Sequence, residues 1–249
     1  MIDGITVVIP TIPPREALLR RALDSVAGAT ARIEQDMGMP VVSIVVQDLA
    51  RNGAATTRHQ GLLAVETEWV AFLDDDDAMH PDHLIQLYGA ALEFGADYLW
   101  SRFQIIKEDH VWSNCADPVG CPLPTELHRG TAIVPEHGFV GVGPVQHLRP
   151  RTEVVQGPVF LGEKAFSQWD DNDPCQTTIT TLVRTELALA AGGFAQFEDD
   201  GSTVDGNRRG EDHEFTLSCR KAGGAFRHVP RVTWDWYHHS SNTSGMPVW

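Results

Sequence analysis

The sequence predicts an α/β fold: a mostly parallel central sheet with helices on both faces. Three observations predict it. Between Gly4 and Ile106, apolar β-branched runs alternate with helical stripes, the order that builds parallel sheets through crossover connections. The runs are continuously apolar and do not alternate with polar residues, as in strands covered on both faces. The run Trp69-Val-Ala-Phe-Leu73 passes straight into four adjacent carboxylates, Asp74 to Asp77. Open α/β sheets bind their ligands at that carboxyl edge.

Gly4 to Pro10 is a buried first strand, bounded by Gly and Pro. Thr11-Ile-Pro-Pro-Arg15 turns the chain. From Glu16, the positions Leu18, Leu19, Ala22, Leu23 and Val26 form a helical stripe, with Gly28 placed to end it. Val41 to Val46 is a second buried strand that closes on Gln47-Asp48. Arg51-Asn-Gly53 is a turn, and Ala54 to Val65 is a helix weakened by Gly61. The central strand follows. After Pro81 a helix carries Leu84, Ile85, Leu87, Tyr88, Ala91 and Leu92, and a strand then spans Asp97 to Ile106. This order is Rossmann-like. Yet no G-x-G-x-x-G follows the first strand, and no G-x-x-x-x-G-K-[ST] occurs. Bound phosphates would therefore be held through a metal and not by a glycine-rich loop.

Residues 107–175 are dense in Pro and Gly, and their periodicity is poor. They predict loops and short strands, Val154 to Leu161 foremost, in a stretch of the kind that forms lids and binding walls. Within it, Trp169-Asp-Asp-Asn-Asp173 sets an aromatic beside acids. That suits a sugar face and its hydroxyls, and a solvated loop explains it as well. Thr177 to Arg184 is a Thr-rich strand, and Glu186 to Gly192 a short helix ended by Gly192-Gly-Phe194. The polar, Gly-containing stretch from Glu198 to Gly210 predicts a mobile loop. Glu211 to Ala222 is a helix with Phe215, Cys219 and Ala222 on one stripe, and Gly223-Gly224 stops it. Phe226 to Val229 is a short strand. The tail Trp234-Asp-Trp-Tyr-His238-His239 combines aromatics and imidazoles.

With 249 residues, the chain has room for one large α/β domain or two small ones, and 42% apolar residues supply a full core. Acids outnumber bases 34 to 19, a net charge of −15. This excess argues against a broad nucleic-acid footprint or an anionic membrane surface. No apolar run approaches transmembrane length, so a soluble, cytoplasmic chain is expected. Cys115, Cys121, Cys175 and Cys219 form no C-x-x-C. A zinc site joining the first two to His110 and His128 fits no standard spacing, and reduced thiols are expected instead.

Four adjacent carboxylates repel one another, so a positive group belongs among them. A divalent cation with oxygen ligands, itself holding phosphates, meets that need. An acidic helix start before Pro81 accounts for one or two such acids, not four.

Together the motifs resemble the GT-A glycosyltransferases of the family-2 type. Val7-Val-Ile-Pro10-Thr11, then Arg15, is similar to their opening strand and turn. Asp48 ends the second strand, as the family's base-contacting acid does. Ala55-Thr-Thr-Arg58-His-Gln-Gly61 is similar to A-x-x-R-N-x-G, with His59 where Asn is usual. Phe72-Leu-Asp74-Asp75-Asp76-Asp77 is similar to the D-x-D metal motif. Gly192-Gly-Phe194, Glu211-Asp212 and the His-rich tail resemble the late G-G-F, E-D and H-x-x-x-x-S elements. The chain departs from the pattern in two places. Its second strand runs almost directly into the Arg58 helix, where many relatives insert a helix and a strand. Its middle region matches nothing specific.

The resemblance implies a single GT-A domain over residues 1–249, with a nucleotide-sugar half over 1–106 and an acceptor-side half with a metal-binding tail over 107–249. It implies inverting, metal-dependent transfer of a sugar from a nucleotide-diphosphate donor, a UDP-sugar, to an acceptor hydroxyl. Pro10, Thr11, Arg15, Asp48, Arg58, Asp74 and Asp75 would bind the donor, with Asp74 and Asp75 near the ribose and Arg58 on a phosphate or the sugar. Asp76 and His239, or His238 beside it, would hold Mn²⁺ or Mg²⁺. Asp212, with Glu211 beside it, would be the catalytic base. The acceptor would be a glycan, a lipid-linked sugar, a protein or a metabolite, and less readily a modified nucleic acid. Two rivals remain at this level. A nucleotidyltransferase would want a basic, Gly-rich first loop, which Thr11 to Arg15 is not. The other is a sugar-nucleotide-binding module that has lost catalysis.

Overall fold

The computed structural model describes residues 1–107, 110–113, 180–195, 203–204, 207–208 and 210–237. Five strands point one way: β1 (Ile2–Thr11), β2 (Val41–Gln47), β3 (Thr67–Phe72), β5 (Tyr98–Lys107) and β10 (Phe226–Tyr237). Three run against them: β4 (Ala78–Met79), β6 (His110–Ser113) and β7 (Thr181–Arg184). The sheet order is β2-β1-β3-β7-β5-β10-β4, with β6 beside β5. The late strand β7 thus lies between β3 and β5. A two-residue hairpin pair, β8 (Thr203–Val204) and β9 (Asn207–Arg208), stands apart from the sheet.

Successive strand residues alternate faces, and two cores result. On one face Ile5, Val7 and Ile9 of β1 and Trp69 and Ala71 of β3 pack with Ala22, Val26 and Ile33 of α1 (Glu16–Met37) and Leu84 and Leu87 of α3 (His83–Phe94). On the other face Val8, Val70 and Phe72 pack with Leu62 of α2 (Ala54–Leu63), Ala188 of α4 (Thr185–Ala190) and Phe215 of α5 (Glu211–Lys221). The predicted α/β architecture, with helices on both faces, is present.

Three local expectations are corrected. Gly28 does not end α1. The stripe continues through Ala29 and Ile33, both buried, and the helix closes at Gly38, which takes the left-handed conformation (φ 66°) and donates its N–H to the Glu34 carbonyl. A glycine inside a helix costs about 1 kcal/mol, which burial of the stripe overrides. β2 is not a buried inner strand: it is an edge strand, and Val42 is 53% exposed. A β-branched run reads alike at an edge and in the middle of a sheet. β10 does not stop at Val229 but continues to Tyr237 alongside β5. The ladder shifts register between Val229 and Val232, around Pro230, which has no N–H to give it.

Candidate active site

The carboxyl ends of β1, β2 and β3 meet at one edge of the sheet. Thr11 closes β1 and donates its hydroxyl to Asp75 Oδ2 at 2.5 Å. Arg15 donates to Asp75 Oδ1 at 2.7 Å and reaches Asp76 Oδ2 at 3.3 Å. Asp75 is therefore committed to the β1 side. Asp48, buried just past β2, donates its N–H to the Thr11 carbonyl at 2.8 Å. Its two carboxylate oxygens accept the N–H groups of Asn52 and Gly53, each at 2.8 Å. That grip holds the tight turn between β2 and α2, in which Arg51 has φ 56°. A cavity of about 390 Å³ lies between this turn and the Ile12–Leu18 segment, lined by Arg15 and Arg51 among others.

The other three carboxylates of the run form a cluster. Asp74, Asp76 and Asp77 each present an oxygen, and these oxygens lie within 4.8 Å of one another. Asp77 accepts the Tyr237 N–H at 3.0 Å, which ties the end of β10 to the cluster. Arg21 of α1 donates to the Asp76 carbonyl and lays its guanidinium over the Tyr237 ring, 3.5 Å from the centroid. Burial, and then the charges of Asp74 and Asp75, push the Asp76 carboxyl up to about 7 against the pull of Arg15. Burial with Asp76 and Asp74 alongside pushes Asp77 well above the carboxylate range. Three crowded carboxylates that offer oxygen donors fit a hard divalent ion, which would supply positive charge among them.

A fourth set of groups reaches this edge from α5. Arg58 of α2 is buried and bridges Asp74 Oδ1 at 2.5 Å and Glu211 Oε1 at 2.6 Å. Its two carboxylate partners raise its pKa despite its burial. Asp212, one residue on, has no ion pair among the described residues. Burial, and then the Glu211 charge, push it up to about 7, with Arg58 opposing. The first turn of α5 is held from below. Thr216 donates to the Asp212 carbonyl at 2.7 Å, and Tyr98 of β5 shares a hydrogen bond with the Thr216 hydroxyl at 2.9 Å. Phe72, Phe194 and Phe215 pack behind it, the last two stacked at 4.4 Å. Gly193 (φ 57°) lies so close to α2 that a Cβ there would stand 2.7 Å from His59 Nδ1.

Pro10, Thr11, Arg15, Asp48, Arg58, Asp74, Asp75, Asp76, Glu211 and Asp212 thus share one edge of the sheet. Arg58 faces two carboxylates there, Asp74 and Glu211. His238 and His239 lie outside the described residues, as do Asp170, Asp171 and Asp173, the stretch 114–179, and all of the 198–210 loop except β8, β9 and Gly210. Of the four cysteines, Cys219 is a buried free thiol and the other three lie outside the described residues. Sequence reasoning assigned no role to Asp77, Arg21 or Tyr237. The acid run was a signal for Asp77. Nothing local marks Arg21 or Tyr237, which the cluster joins across the fold.

Residues 34–114 match the family model described as glycosyl transferase family 2. The succinoglycan biosynthesis protein ExoW of Rhizobium meliloti (strain 1021) is 32% identical over 117 residues, which are 39% of this chain and 37% of that protein. The crystal structure of S. aureus TarS 1–349 superposes with a TM-score of 0.51 at 14% identity, covering 94% of this chain and 60% of that one. The same TarS segment in complex with UDP-GlcNAc gives 0.55 at 15% identity, covering 96% and 60%. At that identity the likeness to TarS is one of fold.

Proposed function

We propose, from the premise that this chain has the GT-A fold and is of the family-2 glycosyltransferase type, that it transfers a sugar from a UDP-sugar to an acceptor hydroxyl, with inversion and with a divalent metal. The observation that carries the proposal is the arrangement at the sheet edge. A three-carboxylate cluster is tied there through Arg58 to Glu211, and a further carboxylate, Asp212, stands next to Glu211 at the start of α5. Glycosyl transfer needs both parts, one for the departing diphosphate and one for the acceptor proton.

Asp74, Asp76 and Asp77 would hold Mn²⁺ or Mg²⁺, with His239 as a further ligand. The bound ion supplies positive charge against the diphosphate. Pro10, Thr11 and Arg15 frame the nucleotide, Asp48 meets the base, and the Asp74–Asp75 pair lies toward the ribose. Asp212 takes the proton of the acceptor hydroxyl while that oxygen attacks the anomeric carbon. The bond from that carbon to the diphosphate oxygen breaks in the same step, so the configuration inverts. A base near pH 7 suits this task, and Asp212 is raised to about 7. The choice of uridine leans on TarS, which was crystallised with UDP-GlcNAc. Residues 1–106 form the donor half and 107–249 the acceptor half of one cytoplasmic domain. The acceptor is a glycan, a lipid-linked sugar, a protein or a metabolite, with nucleic acid the least suited to so acidic a chain.

The test incubates the chain with UDP- and GDP-sugars in Mn²⁺ or in EDTA, and reads product anomers by NMR. An α-linked donor should give a β-linked product, with turnover in Mn²⁺ and almost none in EDTA. Equal turnover in both, or retained configuration, overturns the proposal.

A further inference from the structure

Arg58 stands where three elements meet. It projects from α2, one arm of its guanidinium goes to Asp74 at the end of β3, and the other goes to Glu211 at the start of α5. Glu211 lies 153 residues away in sequence. A buried guanidinium is tolerated only with carboxylates against it, and a fork holds two of them in fixed geometry.

We propose that Arg58 is a positioning residue that couples the metal-type carboxylate cluster to the first turn of α5, with Glu211 as its anchor and not a second base. This deepens the glycosyltransferase reading and rests on it for its catalytic part. Glu211 and Asp212 are adjacent in a helix, so their side chains leave the axis about 100° apart. With Glu211 held by Arg58, the rotation of that first turn is set, and Asp212 points elsewhere. The Asp74 arm makes the tie reciprocal. The charge of Arg58 is divided between Asp74 and Glu211, so loss of Glu211 throws more of it onto Asp74. Asp74 then donates less well to a cation. Linkage requires the converse as well: a cation drawing on Asp74 frees more of Arg58 for Glu211 and tightens the start of α5.

The experiment uses the full chain and Mn²⁺ alone as the probe. Titration calorimetry gives the Mn²⁺ affinity of wild type, Glu211→Gln, Arg58→Gln and the double variant. Amide hydrogen exchange over the first turn of α5 is read with and without Mn²⁺. Glu211→Gln should weaken Mn²⁺ at least about fivefold, the lower end for linked sites. It should also abolish the Mn²⁺-induced protection of α5. In the Arg58→Gln background, Glu211→Gln should have almost no further effect. A through-space charge effect would survive that background and would overturn the coupling, as would unchanged Mn²⁺ affinity in Glu211→Gln. If Arg58→Gln does not fold, Arg58→Met, which also removes the charge and keeps the length of the stem, takes its place in the cycle with the same expectation. The catalytic part is read as a split: at saturating Mn²⁺, Glu211→Gln should lower kcat and leave donor KM alone. If the calorimetric cycle holds while wild type transfers no sugar, the coupling stands and the glycosyltransferase reading fails. If wild type transfers sugar and the cycle is additive, only the coupling fails.

Discussion

Asp212 and Glu211 are neighbours with the same chemistry and opposite surroundings. Glu211 is paired to Arg58 at 2.6 Å, whereas Asp212 is raised to about 7 and has no ion pair among the described residues. Asp212→Asn keeps the size of the side chain but cannot take a proton at neutral pH. The expected outcome is a loss of roughly 10² to 10⁴ in kcat with donor KM nearly unchanged. Steady-state kinetics on the active donor checks it, and loss of donor binding instead would assign Asp212 to the nucleotide. Asp76→Asn removes a charged oxygen from the cluster. It should weaken Mn²⁺-dependent UDP binding toward its level in EDTA, as read by calorimetry. At this scale part of the candidate site was legible in the sequence. Four acids after an apolar strand advertise a cation, whereas Glu211-Asp212 at a helix start is a common acid pair that only the family resemblance marks as catalytic. What stayed hidden was partnership. No local pattern pairs Arg58 with Glu211 or Arg21 with Tyr237, because those contacts are made by the closing of the sheet and not by the chain's own spacing.

Two of the helical glycines, Gly61 and Gly28, give opposite expectations at the level of the elements. Gly61 of α2 faces β1, where an added Cβ would stand 2.4 Å from Val8 Cγ1, in the core, with no room to move. Gly61→Ala should destabilise by about 1–3 kcal/mol through overpacking. Gly28 of α1 has its nearest neighbour, Pro81 Cγ, at 4.0 Å. Gly28→Ala should therefore gain about 0.5–1 kcal/mol of helix propensity. Urea unfolding of the two variants beside wild type checks both signs. The elements themselves were legible from periodicity, which is strong where a stripe or an apolar run is long. Their limits and places were not. Gly28 is a poor helix former that the buried Ala29 and Ile33 overrule, Pro230 interrupts β10 without ending it, and β2 has an inner strand's composition at the sheet's edge.

Across the whole molecule, the buried acids of the site make stability depend on pH and metal together. Asp76 and Asp212 are both raised to about 7, chiefly by burial. A carboxyl raised in the folded state binds its proton more tightly folded than unfolded. Its contribution is complete below the unfolded value of about 4 and is lost as pH climbs through the folded one. In EDTA the melting temperature should therefore be higher near pH 5 than near pH 8. The rise caused by Mn²⁺ should be larger near pH 8, because ligands must shed their protons to bind it. Scanning fluorimetry across that range checks both, and an EDTA melting temperature that climbs toward pH 8 would contradict the upward shift of the two carboxyls. The strand order carries a different consequence, one for the making of the protein. β3 and β5 are separated in the sheet by β7, which is more than seventy residues later in the chain than β5. On the ribosome, the first hundred or so residues emerge with a gap at the middle of their sheet, and both lips of that gap expose backbone donors and acceptors. The gap closes only when Thr181 to Arg184 arrives. Folding must wait for that strand, and a nascent chain halted short of it presents the open strand edges from which aggregation starts.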